Sequence, residues 1–195
     1  MRYFLIYKPY NMLSQFSKET DTQTTLQDLG FAFPKEVYPV GRLDSDSEGL
    51  LLLTDDKSLN QRLLNPKFAH SRTYCVQVEG EIGEEALAKL RNGVKIRIDK
   101  KEHLTQKAQA EKCENEPNLP PREPPIRYRA NIPTSWLLLT LTEGKNRQVR
   151  RMTAAVGFPT LRLVRVAIGG YEIGEMQPAE VRELSWEEVQ VCLSN

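Results

Sequence analysis

Apolar residues in this chain come in runs too short for a buried helix, and turn-forming residues close each run. Residues 3–7 end at Lys8-Pro9, and residues 50–54 lie between Gly49 and Asp55. A continuous apolar run of roughly four to eight residues between such breakers reads as a buried strand. The same reading predicts strands over 12–16, 36–40, 94–98, 136–141 and 161–168. Residues 72–79 alternate, with Tyr74, Val76 and Val78 on one face, as a strand with one apolar side does. Helical spacing is confined to short stretches between these runs. Leu59, Leu63 and Leu64 precede Pro66; Ala86, Leu87 and Leu90 precede Gly93; residues 146–156 precede Gly157; and residues 185–193 open with Glu187 and Glu188. A short helix is also expected over 26–29. Strands with intervening helices predict an α+β domain, a mostly antiparallel sheet decorated by helices.

At 195 residues and 39% hydrophobic composition the chain can bury one sizeable core, so a single domain over 1–195 is expected. Five prolines between 115 and 125 read as an extended connector joining two halves of it. No run approaches the roughly 20 apolar residues that span a bilayer, which predicts no membrane association. The N-terminal apolar stretch is also too short for a secretion signal, so a cytoplasmic protein is expected. Three scattered cysteines, Cys75, Cys113 and Cys192, suggest no disulfide framework. With two histidines they suggest no metal site either.

The net charge of +1 averages two unlike segments. Residues 144–165 hold six bases, Lys145, Arg147, Arg150, Arg151, Arg162 and Arg165, and no acid, whereas residues 172–188 hold six acids and one base. A basic face on a neutral protein suits phosphate; the plain alternative is a solvated helix surface. At about 100° per residue, Val149, Met152, Thr153 and Val156 form the core side of the 146–156 helix. Arg147 and Arg151 then point outward, placed to meet phosphates. Arg150 falls at the border, where a guanidinium is half buried and suited to a carboxylate partner.

The loop 41–49 carries Asp44, Asp46 and Glu48 within five residues. A calcium loop is a poor fit, because no helix precedes Asp44, the closing position is Asp55 rather than glutamate, and Leu50 to Leu53 replace polar ligands. A carboxylate pair for glycoside cleavage and a plain solvated turn both stay open from the residues alone.

Together the motifs resemble the RsuA-type ribosomal-RNA pseudouridine synthases. Gly41-Arg42-Leu43-Asp44 with Ser47-Glu48-Gly49-Leu50-Leu51-Leu52-Leu53-Thr54 resembles that family's catalytic signature. Gly144-Lys145-Asn146-Arg147-Gln148-Val149-Arg150-Arg151-Met152, followed by Leu161-Arg162-Leu163-Val164-Arg165, resembles its C-terminal motif. Lys8-Pro9 and Arg72-Thr73-Tyr74 match two further landmarks in order, so the resemblance covers nearly the whole chain. Asp46-Ser47-Glu48-Gly49 and the run Ile132-Pro133-Thr134-Ser135-Trp136-Leu137 are similar to the members acting on large-subunit (23S) rRNA. Two departures are Arg72, where many members have lysine, and a Lys-Pro strand that begins near residue 3, leaving no room for the family's usual N-terminal RNA-binding domain.

The resemblance implies the pseudouridine synthase fold, with an active-site cleft between two subdomains, and a cofactor-free isomerase that flips a uridine out of RNA. It implies Asp44 acting on the sugar, Arg150 keeping Asp44 ionised, and Tyr74 stacking on the uracil. It further implies RNA contacts from Arg42, Arg147, Arg151, Arg162 and Arg165, and Leu163 beneath the base. Tyr74 and Leu163 have plain alternative roles as core residues. The implied partner is a folded stem-loop of large-subunit rRNA, bound by a monomer with no metal. A catalytically silent RNA-binding protein on the same fold would lack Asp44, Tyr74 or Arg150, and all three are present.

Overall fold

The computed structural model describes residues 1–126 and 132–194, and the chain forms two compact units, Met1–His70 with Arg165–Asn195, and Ser71–Val164. In chain order the first unit contributes β1 (Tyr3–Lys8), β2 (Met12–Leu13), β3 (Thr24–Thr25), β4 (Tyr38–Pro39), β5 (Glu48–Thr54) and α1 (Lys57–Leu64). The second contributes β6 (Arg72–Glu79), α2 (Glu84–Asn92), β7 (Lys95–Ile98), β8 (Lys101–Leu104), β9 (Gln109–Lys112), β10 (Thr134–Leu141) and α3 (Gln148–Ala155). β11 (Thr160–Ile168) begins in the second unit and ends in the first, which then adds β12 (Tyr171–Glu172), β13 (Val181–Glu183) and α4 (Trp186–Leu193).

The first unit is built on β1 and β5, whose residues are all buried, as their unbroken apolar runs require. They pair antiparallel with Ile6 opposite Leu51 and Lys8 opposite Gly49. β13 covers the other edge of β1, and β4 pairs with the outer end of β5. Each fully buried leucine of β5 contributes about 1.5–3 kcal/mol relative to exposure. Asp56 caps α1 by accepting from the Ser58 and Leu59 amides (2.9 and 3.1 Å), which fixes where the helix after β5 begins.

In the second unit β10 lies between β6 and β9, antiparallel to both. Val76, Val78, Leu137 and Leu139 of this sheet pack with Leu87 and Leu90 of α2 and with Val149 and Met152 of α3. The pairings β1–β13, β1–β5, β4–β5, β6–β10, β9–β10, β7–β8 and β11–β12 are antiparallel, and β2–β3 is parallel. The α+β class follows the sequence pattern.

Several expected boundaries shift. The strand expected over 12–16 closes after Leu13 and that over 36–40 contracts to Tyr38–Pro39. β8 and β9 are absent from the apolar pattern because β8 ends on Leu104, 63% exposed, and β9 buries only Ala110. The proline-rich segment 115–125 does not join two halves. It lies inside the second unit, where the Pro120 carbonyl accepts from the buried Arg162 guanidinium (2.7 Å). The chain instead crosses between units after His70 and within β11. Among the described residues no helix is long and apolar enough to cross a membrane.

Candidate active site

The loop between β4 and β5 is fixed at several points, and Asp44 sits among them. Gly41 has φ +71°, a conformation glycine adopts without penalty, and a Cβ there would lie 3.0 Å from the Leu64 side chain of α1. Ser14 Oγ donates to the Leu43 carbonyl (2.9 Å) and accepts from the Leu43 amide (3.0 Å), which anchors the residue before Asp44. The Asp44 carbonyl accepts from the Ser47 amide (3.0 Å), closing a turn. Asp44 and Asp46 are half-buried, whereas Glu48 is buried. Glu48 and Gly49 belong to β5 rather than to the loop. At Gly49, φ is +101° and a Cβ would stand 2.6 Å from the Arg165 amide nitrogen, so β11 approaches this point only because the side chain is absent.

Lys8 closes the loop from below. It is fully buried, and its ammonium donates to the carbonyls of Met12 (2.7 Å), Pro9 (3.0 Å) and Ser45 (3.3 Å). Burial pushes its pKa down to about 7, against the opposing pull of Glu48, Asp46 and Asp44, with Arg165 adding to the downward push. Asp44 therefore stands between two pinned neighbours, Leu43 and Ser45, in a field that includes a buried amine. The sequence marked Lys8 only as a family landmark. Its closure of an apolar strand, in a position where a charge must find partners, was the available signal. Ser14 left no such signal.

Arg42 is exposed, and its Nη2 donates to Gln15 Oε1 (3.0 Å). Arg165 is 5% exposed and its Nε donates to the Leu50 carbonyl (2.7 Å), stitching β11 to β5. Arg162 is likewise 7% exposed and committed to Pro120. Arg162 and Arg165, expected among the RNA contacts, are thus both buried, each with its guanidinium donating to a main-chain carbonyl.

In the second unit α3 presents the arginine series. Val149, Met152 and Thr153 face the core, as the 100° spacing requires, and Gln148 joins them. Arg150 is half-buried with its Nε enclosed, the border position expected for it. Arg147 is exposed and caps the helix in the left-handed region at φ 51°, which costs an L-residue roughly 1–2 kcal/mol. Arg151, expected to point at phosphate, is instead half-buried. Its Nη2 donates to Asn146 Oδ1 (2.8 Å) and its Nη1 to the Arg97 carbonyl of β7. Tyr74 stands opposite Leu139 across the β6–β10 pair, partly buried against the unit's core. Leu163 is a buried member of that core. Beside Tyr74, burial pushes the Cys75 thiol up to about 12, so it stays protonated near neutrality. Among the described residues no three His, Cys, Asp or Glu side chains gather as a metal site would need.

The unit holding Asp44 thus supplies a positioned carboxylate, and the unit holding Tyr74 and Arg150 supplies an aromatic ring and a half-buried guanidinium. Residues 2–155 match the family model described as RNA pseudouridylate synthase. The chain is 49% identical over 179 residues to the "Ribosomal large subunit pseudouridine synthase E" of Xanthomonas campestris, covering 91% of this chain and 92% of that one. It is 51% identical over 178 residues to the protein of the same name from Vibrio vulnificus, covering 91% and 73%. A solved structure described as "Crystal structure of pseudouridylate synthase" superposes with a TM-score of 0.79 at 27% identity, covering 98% of this chain and 73% of that one.

Proposed function

We propose that this chain, which belongs to the RNA pseudouridine synthase family, isomerises a uridine of large-subunit ribosomal RNA to pseudouridine with Asp44 as the residue acting on the sugar. The observation that carries this reading is the identity of about half the residues, over 91% of the chain, to proteins named for that substrate. The site agrees with it: Asp44 follows Gly41-Arg42-Leu43, and the residues on either side of it are hydrogen-bonded in place.

The reaction breaks the bond from uracil N1 to ribose C1′, turns the base, and joins C5 to the same C1′. N1 gains a proton and C5 loses one, so atoms and electrons balance without a redox partner or cofactor. Asp44 attacks C1′ or removes the 2′ proton to give a glycal, and both routes use an ionised carboxylate. Tyr74 stacks on the uracil and assists loss of the C5 proton. Arg150 serves the same step as Asp44. The base leaves its stack at a cost of a few kcal/mol, repaid by RNA contacts in which Arg42 and Arg147 are the exposed candidates. A folded rRNA stem-loop, read by shape and unpaired nucleotides, is the substrate of a monomeric enzyme in the cytoplasm.

The test is incubation of the purified protein with separate large-subunit, small-subunit and transfer RNA transcripts carrying tritium at uracil C5, followed by mapping of pseudouridine. Release from large-subunit RNA, abolished by Asp44→Asn, is the expected result. Release only from small-subunit or transfer RNA would move the substrate elsewhere in the family, and release undiminished in Asp44→Asn would remove Asp44 from its role.

A further inference from the structure

Ahead of α3 the chain makes a tight turn, residues 143–147, whose geometry is set by a buried carboxylate. Glu143 is buried, and both its oxygens are engaged. Oε1 accepts from the Gln106 amide (2.8 Å) and from Gln148 Nε2 (2.6 Å), and Oε2 lies 3.1 Å from His103 Nε2 of β8. Gln148, also buried, uses its other amide atom in the same turn: Oε1 accepts from the Lys145 amide (2.9 Å). The Gln148 amide in turn donates to the Lys145 carbonyl (3.1 Å), so Lys145 is held at both its backbone groups by one residue. Arg147 stands inside this closed turn with a left-handed backbone, and its carbonyl accepts the first bond of the helix, from the Arg151 amide (3.1 Å).

A non-glycine residue stays in the left-handed region only where its surroundings over-determine it. Here the surroundings are Glu143 and Gln148. With its backbone fixed, Arg147 is an exposed residue, whereas Arg151 is half-buried and drawn to Asn146 and Arg97. We propose that Glu143 and Gln148 are positioning residues that hold Arg147 in the conformation from which its guanidinium meets the RNA backbone. The proposal rests on the reading of this chain as an RNA-modifying enzyme. It adds residues that carry no positive charge and contact no RNA.

The test is a double-mutant cycle read as the dissociation constant for a large-subunit rRNA transcript at fixed salt. Arg147→Met weakens binding about tenfold, as expected for one lost phosphate contact, and Glu143→Gln weakens it by a similar factor. In the Arg147→Met background Glu143→Gln has no further effect. Raising the RNA concentration recovers the single-turnover rate of the Glu143 variant, because the defect lies in binding. Gln148→Met, which removes both amide contacts while keeping the shape, repeats the pattern and serves if Glu143→Gln does not fold. Losses that multiply in the double variant, or wild-type binding by a folded Glu143 or Gln148 variant, overturn the positioning role while leaving the enzyme reading intact. Wild-type binding by Arg147→Met removes Arg147 from the RNA surface and the proposal with it.

Discussion

Lys8→Met tests whether the amine beneath the Asp44 loop is held against its own preference. Burial depresses the Lys8 pKa from 10.5 to about 7, the carboxylates of Glu48, Asp46 and Asp44 recovering only part of the loss. The folded chain then binds fewer protons at this site than the unfolded chain from about pH 7 to about pH 10.5, and stability rises with pH across that window. At about 1.4 kcal/mol per pKa unit the full swing approaches 5 kcal/mol, and between pH 7.5 and 9.5 it is roughly 2.7 kcal/mol. Methionine has nearly the length of lysine and no titration, so the stability difference, wild type minus variant, should shift in favour of the wild type by that amount. Trp186 stacks near Tyr3 in the same unit (5.7 Å), so with Trp136→Phe in both proteins its fluorescence reports unfolding in urea. A difference that stays flat from pH 7.5 to 9.5 would show that Lys8 keeps an ordinary pKa as a fully compensated ammonium.

Asp44→Asn should leave RNA binding intact and abolish tritium release, while Asp46→Asn, which alters the same loop without touching the assigned chemistry, costs far less; equal losses would show that the wrong carboxylate was assigned. Arg150→Met should lower the single-turnover rate at saturating RNA, whereas the loss in Arg147→Met is overcome by concentration; the reverse pattern exchanges their roles. Gly49→Ala forces a methyl group against the Arg165 backbone at positive φ, and thermal unfolding should report a loss of at least about 3 kcal/mol; an unchanged midpoint would mean that β11 yields easily. RNA affinity should fall steeply between 50 and 200 mM salt on the order of several released counterions, and a flat response would count against a phosphate-reading surface.

The elements that the sequence predicts well are those with a buried face. β1, β5 and β6 announce themselves because every residue, or every second one, must be apolar when a face has no water. β8, β9 and β13 do not, because each is short and held by backbone hydrogen bonds to a better-buried neighbour, which leaves no imprint on side-chain pattern. The proline segment misled for a related reason. Five prolines exclude helix and central strand, but say nothing of whether the chain they carry leaves a unit or, like this one, is tied back into it through the Pro120 carbonyl.

The same distinction runs through the site. Resemblance of the motifs to a known family singled out Asp44, Tyr74 and Arg150, for which the proposed chemistry needs a carboxylate, a ring and a guanidinium. What fixes Asp44, and likewise Arg147, in place is largely backbone: Ser14 binds Leu43, Lys8 binds the Ser45 carbonyl, and Gln148 binds Lys145. A partner that is a main-chain group can belong to any residue, so sequence spacing carries no trace of it. Arg162 and Arg165 show the converse case. Their charge suggested phosphate, yet both are buried and donate to main-chain carbonyls, Arg165 to that of Leu50 in β5. Charge in a sequence therefore predicts an electrostatic surface only after burial is known, and of the six bases between residues 144 and 165, Arg162 and Arg165 are spent on the fold itself.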